Sequence, residues 1–337
     1  MIASDSRQAV IAISPPPRAS VAGHVAIARI DHWFKNVFVL PGVVAALGMD
    51  LVADLGGVLW RTVVGLAAIC LVASSNYVIN EVMDAPFDRQ HPTKRHRPVP
   101  SGLVNIPLAY AEWLGLMAAG IGLGMLVSTP FTLTLAALWV MGCVYNLRPV
   151  RSKDLPYIDV LSEAVNNPLR MLAGWYIVSA LVPPASLLLS YWMIGAYFMG
   201  MKRFAEYREI GNRAVAAAYR RSFRYYNTRR LLVSIMFYGS AAMLFFGAFI
   251  MRYRLELVVT FPLVAWIMAI YLSLSFEKNS AVQQPEQLYR QPLLMAAVVG
   301  CTVIMALFLF VDVPFLYRVF APTVPVAGGW LHLRLTP

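Results

Sequence analysis

Residues 76–102 read NYVINEVMDAPFDRQHPTKRHRPVPSG. Asn80, Asp84 and Asp88 recur every fourth residue at the end of a long apolar run. In a helix, positions i and i+4 share one face and are separated by about 6 Å of rise. Asn, Asp and Asp at the end of a membrane helix are costly unless they serve a purpose. A basic loop with Arg89, Lys94, Arg95 and Arg97 follows at once. Carboxylates stacked on one face beside a cation cluster suit a divalent metal and a polyanion. Placed at a membrane surface, the combination predicts an enzyme acting on a lipid-soluble substrate and a diphosphate.

Composition sets the class. The 337 residues are 59% hydrophobic and only 13% charged, with a mean hydropathy of +0.63. Ordinary soluble domains carry roughly a quarter charged residues. Runs of about 18 or more apolar residues recur, each long enough to cross a hydrocarbon core of roughly 30 Å. The expected fold is therefore all-α, a polytopic membrane helical bundle of about nine transmembrane helices. The spans fall near 27–48, 57–80, 104–126, 129–147, 157–181, 184–201, 230–250, 255–276 and 292–315. The fifth carries Asp159, Glu163, Asn166, Asn167 and Arg170, so it cannot face lipid all round. Cys70, Cys143 and Cys301 each sit inside an apolar run without paired spacing, which argues for packing rather than a metal or disulfide role.

Most of the 28 Lys and Arg lie in the first segment and in the second–third, fourth–fifth, sixth–seventh and eighth–ninth connections. The positive-inside rule then places the N-terminus and these loops in the cytoplasm and the C-terminus outside, in a multi-pass inner (plasma) membrane protein. The net charge of +11 is mostly this topology signal and no argument for nucleic acid. Residues 1–24 include Pro15, Pro16 and Pro17 but no apolar stretch long enough for a cleaved signal, and they are expected to form a flexible cytoplasmic tail. Residues 25–316 are expected to form the catalytic membrane domain and 317–337 an extracytoplasmic tail.

Three constellations carry the chemistry. In the first, Asp84 and Asp88 can share a hard cation, with Asn80 adding a neutral oxygen. Mg2+ favours one or two carboxylates with waters and substrate phosphate oxygens completing the shell. Pro86 removes the hydrogen bond to Val82 and is expected to kink or end the helix there. Lys94 and Arg97 lie in a proline-stiffened loop bounded by Pro92, Pro98 and Pro100. Arg suits bidentate phosphate contacts and Lys acts as a point charge. The second constellation is YNLRPVRSKDLPYIDVLSEAVNNPLR, residues 145–170, with Tyr145, Arg148, Arg151 and Lys153 preceding Asp159 and Glu163. The Asp159-x3-Glu163 spacing echoes Asp84-x3-Asp88. Two half-sites facing each other would explain the echo; a chance match is the alternative. Arg170, two turns beyond Glu163, either pairs with it internally or serves a substrate. The third is MKRFAEYREI, residues 201–210, where Lys202 and Glu206 stand at i and i+4 beside Arg203. An exposed salt bridge accounts for that pair as well as a ligand role does.

Together these residues resemble the UbiA superfamily of intramembrane prenyltransferases over nearly the whole chain, from about Arg29 to Val313. Asn80-Glu81-x2-Asp84-x3-Asp88 is similar to the family's NDxxDxxxD, which in relatives binds a magnesium-bridged diphosphate. Glu81 replaces the usual Asp, and Pro86 intrudes. HWFKN at 32–36, HPTKRHRP at 91–98, KRFAE at 202–206 and Pro285-Glu286 resemble the decaprenyl-phosphate phosphoribosyltransferase branch. The resemblance implies transfer of 5-phosphoribosyl from phosphoribosyl diphosphate to a polyprenyl phosphate with Mg2+, toward a lipid-linked pentose donor such as arabinose. Asp84, Asp88 and Asp159 would be catalytic, with Asn80, Asp84 and Asp88 at the metal. Lys35, Asn36, Lys94, Arg97, Tyr145, Lys153, Arg170, Lys202, Arg203 and Glu206 would contact substrates. An aromatic prenyltransferase using the same metal site is the alternative enzyme. A transporter with buried charges is the alternative outside enzymology, and the absence of matching broken-helix signatures speaks against it.

Overall fold

A computed structural model describes residues 18–49, 54–89, 94–283 and 285–321, with backbone only at 285 and 286. His91 and Pro92 of the basic loop, the side chains of Pro285 and Glu286, and most of both expected tails lie outside the described residues. The described residues are helical throughout and contain no strand. Thirteen α-helices run in chain order: α1 Val21–Ile27, α2 Leu40–Leu47, α3 Leu55–Asp88, α4 Ile106–Gly124, α5 Thr129–Asn146, α6 Ile158–Ala164, α7 Asn166–Val178, α8 Ala185–Ile210, α9 Arg213–Tyr219, α10 Thr228–Tyr253, α11 Phe261–Leu274, α12 Pro292–Phe310 and α13 Pro314–Val319. Five stretches among them are long and apolar enough to cross a bilayer: Leu55–Asp88, Ile106–Gly124, Thr228–Tyr253, Leu255–Leu274 and Pro292–Phe310. The chain is a multi-pass membrane protein.

The departures from nine plain spans have local causes. The first span is broken into α1, a 3-10 segment Ile30–Val39 and α2; Arg29 at φ 51° turns the chain left-handed after α1. α1 itself begins at Val21, inside the stretch expected to be a flexible tail, because Ser20 caps it by accepting from Gly23 N–H. The fifth span divides at Val165 into α6 and α7. Pro168 has no N–H to offer the Ala164 carbonyl, so the hydrogen-bond ladder is interrupted there. The eighth opens as a 3-10 turn, Leu255–Thr260, before α11.

α3 is continuous through Pro86, contrary to the expected kink or end. Only two residues of the helix remain after Pro86, so one lost bond near a terminus is tolerated, and Arg89 N–H still reaches the Ala85 carbonyl at 3.1 Å. Asp54 caps the other end by accepting from Gly57 N–H at 3.1 Å. Thirty-four helical residues span roughly 50 Å, well beyond a hydrocarbon core of roughly 30 Å. The surplus carries Asn80, Asp84 and Asp88 past the apolar zone.

α3 packs along α4, α8 along α10, and α7 lies between α2, α3, α5 and α8. α7 approaches the first span backbone to backbone. A Cβ on Gly174 would collide with the Val39 carbonyl, and one on Gly42 with the Met171 carbonyl. One core gathers Val72, Phe131, Leu135, Trp175 and Ile177; the other gathers Tyr197, Met201, Phe204, Phe223 and Tyr238. The charged residues collect at one end of the bundle, between these two cores.

Candidate active site

The last turns of α3 meet the connection between α5 and α6. Lys153 Nζ donates to Asp84 Oδ1 at 2.6 Å, Asn146 Oδ1 at 2.9 Å and Asn80 Oδ1 at 3.2 Å. Three oxygens from two helices thus converge on one ammonium group. Burial pulls the Lys153 pKa down to about 8, against the upward pull of Asp84. Arg151 donates from Nη2 to Asp84 Oδ1 at 2.9 Å, lies 3.3 Å from Asp154 Oδ2 through Nε, and covers the Phe87 ring. A single carboxylate oxygen therefore carries two cations.

Asp88, one turn on, is buried and turned to a different partner: Arg97 Nη1 donates to its Oδ2 at 2.8 Å. Glu81 is also buried, and its Oε1 accepts from Val99 N–H at 3.0 Å. That bond ties the proline-rich loop to α3, so the residue that departs from the family motif here anchors the loop carrying Lys94 and Arg97. Lys94 reaches across to Tyr219, with Nζ 3.5 Å from the hydroxyl and 5.1 Å from the ring centre. Burial, then Arg97, pushes the Lys94 pKa down, and burial pushes the Tyr219 phenol up to about 12.

The second half-site is built on α6, α8 and the segment around α9. Asp159 is 0% exposed and receives Tyr226 Oη at 2.6 Å and Ser222 Oγ at 3.0 Å. Arg220 Nε and Arg203 Nε lie 3.4 and 3.6 Å from its Oδ2. Both its oxygens are thus committed, and the role expected for it beside a substrate is closed to it in this arrangement. Glu163, one turn along, has a side chain 28% exposed; it accepts from Arg203 Nη2 at 2.5 Å and Tyr145 Oη at 2.8 Å. Arg203 also donates to Glu206 Oε2 at 3.1 Å, which replaces the expected Lys202–Glu206 pair. Helical spacing allowed either, and the inward side of α8 selected Arg203. Lys202 is half-buried beside it.

Tyr145 joins the halves. Its hydroxyl donates to Glu163 and accepts from Arg220 Nη2 at 3.1 Å, while its ring lies 5.6 Å from Lys153 Nζ. The Asp84 and Glu163 groups therefore belong to one charged cluster, in accord with the facing half-sites suggested by the echo in sequence. Lys35, over the Phe34 ring at 5.9 Å, and Asn36, bonded to Arg170, lie on the broken first span. The internal Glu163–Arg170 pair does not form: Glu163 is taken by Arg203, and Arg170 turns to Asn36. Arg151, named from sequence in the second constellation, reaches Asp84, while Asn146, Arg220, Ser222 and Tyr226 complete the cluster without having been singled out. Arg220 is one of nine cations in its stretch, and Tyr226 meets Asp159 across 67 positions, so local spacing held no sign of either.

The oxygen set around Lys153 suits a hard cation. Asn80, Asp84 and Asn146 already enclose a positive charge, which is the donor chemistry Mg2+ accepts. Asp88 stands apart from that cradle in the arrangement described. Among the described residues no three His, Cys, Asp or Glu side chains converge to form a complete metal cage. An ion here would depend on substrate phosphate oxygens for the rest of its shell, as Mg2+ commonly does.

Comparisons with known proteins agree with this architecture. Decaprenyl-phosphate phosphoribosyltransferase of Mycolicibacterium smegmatis is 32% identical over 193 residues, covering 57% of this chain and 59% of that protein. The protein of the same name from Mycobacterium tuberculosis is 30% identical over 236 residues, covering 70% of this chain and 76% of that one. A UbiA homolog from Archaeoglobus fulgidus, solved bound to DMAPP and Mg2+, superposes with a TM-score of 0.65 at 20% identity, over 86% of this chain and 98% of that one. The model of the UbiA prenyltransferase family matches residues 37–298, and the chain is a member of that family, a membrane-embedded transferase.

Proposed function

We propose that the protein transfers a 5-phosphoribosyl group from phosphoribosyl diphosphate to a polyprenyl phosphate, releasing diphosphate, at the cytoplasmic face of the plasma membrane. The observation that carries the reading is the disposition of charge around α3. Asp84 and Asp88 each hold cations that can be passed to a diphosphate, Arg151 and Lys153 on one side and Arg97 on the other. Support also comes from the two mycobacterial relatives and from the HPTKRHRP and KRFAE stretches, whose Arg97 and Arg203 both enter the cluster.

In this reading an oxygen of the acceptor phosphate forms a bond to the ribose anomeric carbon as the bond from that carbon to the diphosphate oxygen breaks. The diphosphate leaves with the bonding electrons. The acceptor is already an anion, so the site needs no strong general base. Lys94, Arg97, Arg151 and Lys153 hold the diphosphate oxygens by charge-assisted hydrogen bonds. Positive charge developing on the ribose is favoured by Glu163, the accessible carboxylate of α6. Asp159 holds the Arg220–Tyr226 segment against the site and is a positioning residue. Mg2+ would be held by Asp84 with Asn80 and Asn146, and it would supply neutralisation of the departing diphosphate. The product would serve synthesis of a lipid-linked pentose donor.

Labelling tests the reading. Membranes containing the protein, given labelled phosphoribosyl diphosphate, polyprenyl phosphate and Mg2+, should form a labelled lipid and release diphosphate. Label entering lipid only from a prenyl diphosphate and an aromatic acceptor would overturn the assignment while leaving the family unchanged.

A further inference from the structure

Among the described residues Arg170 is a cation with no carboxylate beside it. Its Nε donates to Asn36 Oδ1 at 3.0 Å and its Nη1 to the Asn166 carbonyl at 3.4 Å. Asn36 is buried and itself fixed, donating from Nδ2 to Cys70 Sγ at 3.2 Å. Both acceptors of the guanidinium are neutral. Arg151, Arg203 and Arg220 each lie within 4 Å of a carboxylate, whereas no carboxylate pairs with Arg170 among the described residues. Glu163, seven residues earlier, is committed to Arg203 and Tyr145. The titratable groups that face Arg170 are Cys70, Tyr77 and Tyr191, none of them a carboxylate. A guanidinium stays charged throughout the physiological range, and charges inside membrane helices are ordinarily paired. The side chain is half-buried rather than sealed, so an anion can reach it.

The placement suits a substrate group. Helical side chains lean toward the helix N-terminus, and the contact with the Asn166 carbonyl confirms that lean here. The guanidinium therefore sits near the start of α7. Beside Asn36 in the chain, Phe34, Val37 and Phe38 are about half exposed and form an apolar surface. An apolar tail can lie there while its charged head turns inward.

We propose that Arg170, oriented by Asn36, forms a second anion subsite that takes a phosphate monoester, separate from the diphosphate site at Asp84 and Asp88. Lipid phosphate and ribose 5-phosphate share this chemistry; the apolar surface beside Asn36 favours the lipid. Only that choice of source rests on the proposed reaction. The test uses the full chain in nanodiscs with neither donor nor Mg2+. Thermal stabilisation is read against dodecyl phosphate, against dodecanol as the uncharged control, and against ribose 5-phosphate. The wild type is expected to be stabilised by dodecyl phosphate and not by dodecanol. Arg170→Gln, which keeps a donor for Asn36 but removes the charge, should weaken that apparent affinity by about tenfold or more, the loss of one charged hydrogen-bonding partner. Arg170→Lys should fall between, and it carries the test should the Gln variant not fold. Stabilisation by ribose 5-phosphate that Arg170→Gln abolishes would support the subsite and assign it to the donor. Equal responses of wild type and both variants, or no response of the wild type to either phosphate, would overturn it. A subsite that stands while the labelling assay fails separates this inference from the proposed reaction.

Discussion

Asp84 and Asp159 show how identical side chains take opposite duties through their surroundings. Asp84 shares two cations through one oxygen at the mouth of the cluster, and Asp159 is sealed by a tyrosine, a serine and two arginines. Asp84→Ala is expected to leave an inserted, folded protein whose turnover falls by about 10²–10³-fold, the scale of losing one preorganised charge partner. Retention of near wild-type turnover would remove Asp84 from the proposed machinery. Asp159→Ala leaves Arg203 and Arg220 short of a buried counter-charge, and breaking such a network costs about 3–5 kcal/mol. A clear fall in Tm should therefore accompany its loss of activity. Glu163→Gln should lose turnover with little change in Tm, which separates the two acidic residues of α6. Lys94 gives a pH signature. Burial and Arg97 lower its pKa, so the ammonium is lost on raising pH earlier than an ordinary lysine would lose it. The KM for the diphosphate donor should rise as Lys94 and Lys153, the latter with a pKa of about 8, lose their charge, and Lys94→Arg should remove the share of the rise that belongs to Lys94. Matching KM profiles for the two proteins would free Lys94 of any donor contact.

At the scale of elements, two long helices deliver chemistry at their ends. α3 carries Asn80, Asp84 and Asp88 on its surplus turns, and α8, 26 residues long, carries Arg203 and Glu206 near its C-terminal end. The broken fifth span complements them: the interruption ahead of Pro168 lets α6 and α7 present Glu163 and Arg170 to separate partners. The register between α7 and the first span is set by glycine, since Gly174 and Gly42 allow contact that any Cβ would block. Gly174→Ala should separate these elements at an overpacking cost of about 1–3 kcal/mol. Tm would report that cost, and weaker binding of dodecyl phosphate would report the displaced Asn36–Arg170 pair. A Gly174→Ala protein with unchanged Tm would show that the backbone contact is not limiting.

Across the whole molecule, a bundle embedded in lipid must gather its charge at its ends, and here the end carrying Asp84, Glu163 and Arg203 holds the dense cluster while Arg252, Arg254 and Asp312 lie at the other. Arg208, exposed at the end of α8, and Arg252, exposed near the end of α10, lie at opposite ends of the bundle. In a background without native cysteines, Arg208→Cys should react with a membrane-impermeant thiol reagent only after the cytoplasmic side is opened. Arg252→Cys should react in intact cells. The reverse pattern would invert the proposed orientation.

The residues by themselves determined the class of molecule: apolar run lengths require membrane helices, and four-residue spacing places Asn80, Asp84 and Asp88 on one face, because both follow from helix geometry alone. HPTKRHRP and KRFAE likewise marked the cations that enter the site. Only the tertiary structure decided which charge meets which. Glu163 chose Arg203 over Arg170, Glu206 chose Arg203 over Lys202, and Asp159 was closed off by Tyr226 and Ser222, partners more than sixty residues away. Pairing of this kind depends on which helix faces pack together and on the low dielectric between them, and neither is encoded in the spacing along any one helix.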